Sequence, residues 1–149
     1  MADQGPTGDG HAIARRSAAA MWADDKASPS LGMEIISVGP GMAVLAMTVR
    51  ETMVNGLGIC HGGFIFTLAD SASAFAANSY NQHAVLQSGQ ITLLAPARLG
   101  MRLIAEASER HLGERSGIYD VRVKSEVGDI IAEFRGNTRL VPGTLYPAN

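Results

Sequence analysis

The sequence has little cysteine, few aromatic residues and little charge. Cys60 is the one cysteine among 149 residues, so no disulfide can form within the chain, and a reducing compartment is expected. Aromatic residues make up 5% and charged residues 17% of the sequence. The net charge is −2 and there is no basic block, which argues against a nucleic-acid surface. We therefore predict a globular protein without a nucleic-acid partner.

The sequence also lacks a long apolar run. Its most apolar region, residues 64–77, is interrupted by Thr67, Asp70, Ser71 and Ser73 and is too short and too polar to span a bilayer. The first residues, MADQGPTGDG, are polar and glycine-rich and contain no apolar core of the length that a signal peptide needs. These features predict a cytoplasmic protein with no membrane partner.

The motifs of several enzyme classes are missing. There is no G-x-S-x-G turn, no phosphate-binding loop and no dinucleotide fingerprint. The four histidines, at positions 11, 61, 83 and 111, do not have the spacing of metal ligands, so we expect no metal site. The neighbours Cys60 and His61 form a poor nucleophile–base pair, because adjacent side chains generally point in different directions.

One apolar segment with helical character, residues 61–80, stands between segments with the alternation of strands. We predict a disordered tail (1–10), a helix (11–26), a hairpin (32–38 and 42–49), the long helix, and four strands (85–95, 102–110, 116–127 and 130–140). A helix that is apolar almost all round must be wrapped, and a curved antiparallel sheet is the available material. The expected fold is therefore α+β of the hotdog type: a curved antiparallel sheet around one long central helix, with a short N-terminal helix, in a single domain over residues 11–149.

An aspartate inside that helix and two glycines at its start call for an explanation. An ionised carboxylate in apolar surroundings costs on the order of several kcal/mol unless it is paired or hydrogen-bonded. Asp70 is either a structural residue held by the hydroxyl of Thr67 or Ser73, or a base or nucleophile at the floor of a pocket. Gly62 and Gly63 either leave backbone N–H groups open to an oxyanion or allow close packing of the helix on a strand.

Distance links these two features. Asp70 follows Gly62 by eight residues, which is about 12 Å along a helix. One thioester or ester group cannot contact both in a single chain, whereas antiparallel helices from two chains can bring Gly62 of one beside Asp70 of the other. If the site exists, the protein is at least a dimer, with two shared sites.

Four segments resemble one protein family. NGLGICHGGFIFTLADSASAFAANS, LQSGQITLLAPARLGMRLIAEA, GERSGIYDVRV and IIAEFRGNTRL are similar to hotdog-fold acyl-CoA thioesterases of the phenylacetic acid degradation type, and the similarity covers about residues 18–140. The resemblance implies hydrolysis of phenylacetyl-CoA and ring-hydroxylated phenylacetyl-CoA. It implies no cofactor, because CoA is part of the substrate, and an assembly with copies of itself as a homodimer or homotetramer.

The resemblance also implies roles for single residues. Asp70 matches the catalytic carboxylate, acting as a general base or as the nucleophile. Asn55 and the Gly62 N–H match the groups that polarise the thioester carbonyl. His61 matches a position that shapes the oxyanion site, and Ser88 one that orients water beside Asp70.

Substrate contacts are less specific. Gly63 and Phe64 are candidates for substrate contacts, and Arg98 and Arg115 for contacts with the CoA phosphates, with Arg102 and Arg110 considered beside them. Phe64, Phe66, Phe75 and Tyr80 are candidates for an aryl pocket, although core packing is the more frequent role of helix aromatics. Two other functions stay open: a non-catalytic acyl-CoA-binding or regulatory hotdog module, and a hotdog hydratase.

Overall fold

A computed structural model describes residues 7–148 of the chain, with three helices, one short 3-10 turn and six strands. The helices are α1 (Thr7–Asp24), α2 (Ala27–Ser30) and α3 (Gly62–Ala77), and the 3-10 turn is Glu51–Met53. The strands are β1 (Glu34–Gly39), β2 (Met42–Thr48), β3 (His83–Leu93), β4 (Arg102–Leu112), β5 (Ser116–Ser125) and β6 (Ile130–Val141).

The six strands form one antiparallel sheet in the order β1-β2-β4-β5-β6-β3. The sheet curves around α3, which packs on its inner face, so the predicted hotdog fold is confirmed. β1 and β3 are the edge strands. The residues of β5 alternate, because Tyr119, Val121 and Val123 are buried while Asp120 and Arg122 lie on the outer face of the sheet.

Small side chains let α3 lie close to the sheet. Ile65, Leu68, Ala69, Ala72 and Ala76 recur at helical spacing and are at most 2% exposed. A second stripe of the same helix, formed by Gly63, Thr67, Asp70 and Ala74, is only partly covered. Most faces of α3 are therefore buried, and the partly covered stripe that contains Asp70 is the exception.

Two helix boundaries differ from the prediction. α1 begins at Thr7, so residues 7–10, which were predicted to belong to a disordered tail, are helical. Residues 1–6 of that predicted tail lie outside the described part. Gly10 packs against the β1–β2 turn, where a Cβ at this position would lie 3.1 Å from Pro40 Cγ. Tertiary packing thus outweighs the low helix propensity of glycine.

The central helix ends at Ala77, before the predicted end near Tyr80. The buried amide of Asn78 accounts for this earlier end. Its Nδ2 donates to the carbonyls of Ala74 and Ala84 at 2.8 and 3.0 Å, and its Oδ1 accepts the Ala84 N–H at 2.9 Å. One side chain therefore caps α3 and starts β3.

Candidate active site around Asp70 and the start of α3

The Asp70 carboxylate is half-buried, and the neighbouring hydroxyls do not bind it. Thr67 Oγ1 donates to the Gly63 carbonyl at 2.9 Å, and Ser73 Oγ donates to the backbone carbonyl of Asp70, also at 2.9 Å. Each hydroxyl has one proton to donate, so the structural explanation by Thr67 or Ser73 does not apply to the carboxylate. Burial raises the pKa of the Asp70 carboxyl above its usual value.

The start of α3 leaves one backbone N–H open. His61 is the N-cap residue, and its Nδ1 accepts the Gly63 N–H at 3.0 Å. The Phe64 N–H donates to the His61 carbonyl at 3.0 Å. In the described part of the chain, the Gly62 N–H has no such acceptor, and the helix dipole adds positive potential there. Gly62 therefore offers a donor suited to an oxyanion, whereas the N–H of Gly63 is already used.

Nδ1 of His61 is the acceptor in this cap, so that nitrogen bears no proton when the hydrogen bond is made. A Cβ at Gly63 would lie 3.1 Å from that Nδ1, so glycine leaves the cap the room it needs. His61 thus occupies the Gly63 N–H and leaves that of Gly62 as the open donor. This geometry agrees with the predicted shaping role of His61, which stays a prediction.

Asn55 stands in the turn that leads to α3. Its Oδ1 accepts the N–H groups of Leu57 at 3.0 Å and Ile59 at 3.4 Å, and Gly58 completes the turn in the left-handed region with φ of 78°. The side-chain oxygen is therefore committed to the loop. The Nδ2 group has no acceptor among the described residues, and it is the part of Asn55 able to donate to a ligand.

An apolar cavity of about 260 Å³ adjoins the start of α3. It is lined by Ile59, Cys60, Ile65 and the segment 93–97, which begins at the last residue of β3. Leu93 bounds it beside Gly62, where a Cβ would lie 2.6 Å from Leu93 Cδ1. Gly62 therefore allows close packing of the helix start against Leu93, which is one of the two alternatives drawn from the sequence. The other alternative, an N–H that binds an oxyanion, stays a prediction. The sequence did not predict that Leu93 packs against Gly62, because a single leucine in a strand carries no distinguishing pattern.

The four aromatic candidates separate into different environments. Phe75 is 2% exposed and packs against Trp22, and Tyr80 donates to Glu109, so neither faces the site. Phe64 is half-buried with its ring edge-on to His61. Phe66 is half-buried one turn before Asp70, with its ring edge-on to Phe134. Phe64 and Phe66 are thus the two that remain near the candidate site.

Ser88 is not brought to Asp70 within one chain. Its Oγ accepts Nδ2 of Asn137 at 3.1 Å on the outer face of the sheet, whereas the next residue, Gly89, faces α3 and Phe66. Its predicted contact with a catalytic water remains untested.

The arginine candidates also separate. Arg102 pairs with Glu34 and Glu126, and Arg110 pairs with Asp120. Within the described residues, Arg98 and Arg115 have no carboxylate at ion-pair distance. The backbone of Arg98 forms an isolated β-bridge with Ile59, so Arg98 lies next to the cavity. Arg115 lies in the β4–β5 turn at the opposite end of the sheet. The two arginines of one chain therefore do not converge on a single phosphate group.

Two other kinds of site are absent from the described residues. His, Cys, Asp and Glu side chains do not assemble there into a group of three or more that could hold a metal ion. Nor does any helix within residues 7–148 combine the length and the apolarity needed to cross a membrane. The predicted absence of a cofactor stays a prediction.

Comparison with known proteins gives consistent matches. Residues 57–132, just over half of the chain, match the family model described as the thioesterase superfamily. The acyl-coenzyme A thioesterase PaaI of Escherichia coli is 40% identical over 130 residues, which are 87% of this chain and 93% of PaaI. The solved structure of E. coli PaaI, from the phenylacetic acid degradation operon, superimposes with a TM-score of 0.89, covering 91% of this chain and 98% of that one.

Two further solved structures are similar. The phenylacetic acid degradation protein PaaI from Thermus thermophilus, solved as a mutant, is 37% identical with a TM-score of 0.76, over 78% of this chain and all of that one. A protein from Streptococcus mutans bound to acetyl CoA is 25% identical with a TM-score of 0.73, over 75% and 90% of the two chains. The chain therefore belongs to the thioesterase superfamily, and within it to the hotdog-fold acyl-CoA thioesterases of the phenylacetic acid degradation type.

Proposed function

We propose that this enzyme hydrolyses phenylacetyl-CoA and ring-hydroxylated phenylacetyl-CoA to the free acid and CoA in phenylacetate catabolism. The observation that carries the proposal is the half-buried Asp70 carboxylate without a hydroxyl partner, on the same helix as the open N–H of Gly62. E. coli PaaI is named an acyl-coenzyme A thioesterase, which favours this reaction over a non-catalytic binding module.

The chemistry assigned to these groups is thioester hydrolysis. In one alternative, Asp70 takes a proton from water, and the water oxygen attacks the carbonyl carbon. In the other, the Asp70 carboxylate attacks the carbonyl carbon and forms an anhydride, which water then cleaves. The negative charge that develops on the carbonyl oxygen is stabilised by the N–H of Gly62 and by Nδ2 of Asn55. The C–S bond breaks, and the CoA thiolate leaves and takes up a proton.

The site is shared between two chains in this proposal. About 12 Å of helix separates Gly62 from Asp70, so the carbonyl held at Gly62 and Asn55 of one subunit meets Asp70 of its partner. The partly open stripe of α3 and the edge strand β3, with Val85 and Leu93 each 50% exposed, supply an apolar surface for a second copy. A homodimer has two such sites, and a homotetramer of two dimers has four.

Three further assignments belong to the proposal. Ser88 is proposed to orient water at Asp70, which requires a contact across the subunit interface. Arg98 and Arg115, which have no ion-pair partner among the described residues, are proposed to contact CoA phosphates from different subunits. Cytoplasmic localisation is proposed from the composition of the sequence.

Two inactive variants, mixed in one oligomer, test the shared site. Asp70→Asn removes the base, and Asn55→Asp removes the donor while keeping the oxygen that accepts the Leu57 and Ile59 N–H groups. Each variant alone is expected to lose most hydrolysis of phenylacetyl-CoA. After co-refolding or co-expression, a heterodimer contains one intact site and one doubly defective site, so random mixing restores about a quarter of native activity.

The control is a mixture of the Asp70→Asn protein with itself, handled identically. Full activity of Asp70→Asn alone contradicts the catalytic assignment. Inactive variants that gain nothing on mixing, although hybrid oligomers are detected by native mass spectrometry, contradict the division of the site between chains.

A further inference from the structure

An aromatic residue, Phe66, lies one helical turn before the proposed catalytic carboxylate on α3. Phe66 precedes Asp70 by four residues on α3, a spacing that places Cβ atoms about 6 Å apart on the same side of a helix. Helix side chains lean toward the N-terminus, so the Asp70 side chain lies over the turn of α3 that carries Phe66. Phe66 is only half-buried, which leaves part of that ring available for contact.

The ring is held from two directions. The centroids of Phe66 and Phe134 are 5.2 Å apart with an interplanar angle of 81°, an edge-to-face contact. On β3, a Cβ at Gly89 would lie 3.3 Å from Phe66 Cζ and 3.0 Å from Phe134 Cε2. The backbone of Gly89 is therefore close to both rings, and any side chain there would disturb them.

A second glycine completes this arrangement. Gly136 on β6 is directly opposite Gly89 on β3. A Cβ at Gly136 would lie 3.0 Å from Phe134 Cε1 and 3.0 Å from Leu86 Cδ1. Two facing glycines leave a trough on the inner face of the sheet, in which Phe134 lies and against which Phe66 stands. Glycine weakens the interior of a strand, so the presence of both calls for such a packing reason.

We infer that Phe66 is a specificity-determining residue, whose ring forms an aromatic wall that favours thioesters with an aryl ring over alkyl thioesters of equal size. Phe134, Gly89 and Gly136 are positioning residues that hold this wall beside Asp70. The inference rests on the proposed function, because it requires the acyl group to lie next to Asp70. It adds a cause for the aryl preference that the catalytic groups do not supply.

The test compares phenylacetyl-CoA with octanoyl-CoA, whose acyl groups have the same number of carbon atoms, in the native oligomer and in Phe66→Leu. We expect the ratio of kcat/KM for phenylacetyl-CoA to kcat/KM for octanoyl-CoA to fall by about two- to tenfold in Phe66→Leu. This range corresponds to the interaction energy of one aromatic pair. The loss is expected mainly as a higher KM for phenylacetyl-CoA, because the ring contact exists before and during reaction. Phe75→Leu, the same change in the core of the same helix, is expected to leave the ratio unchanged.

A second pair of variants protects the test against misfolding of Phe66→Leu. Gly89→Ala adds a methyl group against both Phe66 and Phe134, whereas Gly136→Ala presses on Phe134 and Leu86. Gly89→Ala is expected to lower the ratio more than Gly136→Ala does.

A native ratio in a folded Phe66→Leu protein, or equal native ratios in both glycine variants, overturns the inference and leaves the thioesterase function standing. Failure of the native protein to hydrolyse either ester overturns the proposed function itself. The two failures are therefore distinguished by the native enzyme.

Discussion

Asp70 and Glu109 are both half-buried carboxylates, and their surroundings differ in one respect. Glu109 accepts a hydrogen bond from Tyr119 Oη at 2.8 Å and from Tyr80 Oη at 3.2 Å. Gly41, with φ of 67°, lies against it, where a Cβ would be 3.0 Å from both Glu109 Cβ and Tyr80 Oη. The Asp70 carboxylate has none of this, because the nearest hydroxyls of α3 bind backbone carbonyls.

The difference separates a structural carboxylate from one available for chemistry. A buried polar group that is fully hydrogen-bonded contributes to a unique packing, whereas an unsatisfied one lowers stability. Glu109 belongs to the first class, because its carboxylate accepts hydrogen bonds from Tyr80, in the turn after α3, and from Tyr119, on the core strand β5. Asp70 has no such donor, and because no buried side-chain oxygen of the described residues lacks a partner, its carboxylate reaches solvent and is open to a substrate or a water. Carboxylates with a shifted pKa collect at functional sites.

The largest expected effect comes from replacing each carboxylate by its amide. Asp70→Asn is expected to lower kcat/KM for phenylacetyl-CoA by about 10²- to 10⁴-fold without lowering the free energy of unfolding. Glu109→Gln is expected to lower that free energy by about 1–3 kcal/mol, with kcat/KM close to native. Hydrolysis assays and urea unfolding of both variants make the comparison, and a large loss of activity in Glu109→Gln alone would reverse the two roles.

A smaller effect is expected from the phenols around Glu109. Tyr119 is fully buried, so Tyr119→Phe leaves the carboxylate without its shorter hydrogen bond and is expected to cost about 1.5–3 kcal/mol of unfolding free energy. Tyr80→Phe is expected to cost less, because Tyr80 is only half-buried and its bond is longer. Chemical denaturation measures both, and equal costs would show that the distances do not rank these bonds.

The smallest effect is the pH dependence that Asp70 adds to stability. Burial raises the pKa of its carboxyl in the folded state, so between the unfolded and folded pKa values the native state binds more protons than the unfolded state. Stability from this group therefore falls as pH rises through that window. As pH is lowered from neutral into it, the native protein should gain stability relative to Asp70→Asn; parallel Tm curves for the two proteins would contradict this.

Much of the fold was predictable from periodicity. The apolar segment around Leu68, the hairpin at Gly39–Gly41 and the four later strands are local patterns, and each appears within a few residues of its predicted position. The start of α1 was not predictable, because Gly10 is helical through its contact with Pro40. For the site, the sequence drew attention to Asp70 and Gly62, but it could not reveal that Thr67 and Ser73 bind backbone carbonyls instead of the carboxylate.

The sequence by itself determined that a polar, ionisable residue is placed in an apolar helix eight residues after a glycine, and that one helix cannot bring the two together. Both follow from side-chain type and helical rise, which are local properties. Only the tertiary structure decided which of these groups already have a partner. His61 caps Gly63, Asn55 binds the N–H groups of its own loop through its oxygen, and the facing glycines at 89 and 136 leave room for the rings of Phe134 and Phe66. The glycine contacts join residues that are distant in the chain, and the two hydrogen bonds are choices among several partners of the same kind. The spacing of residues in a sequence cannot predict either.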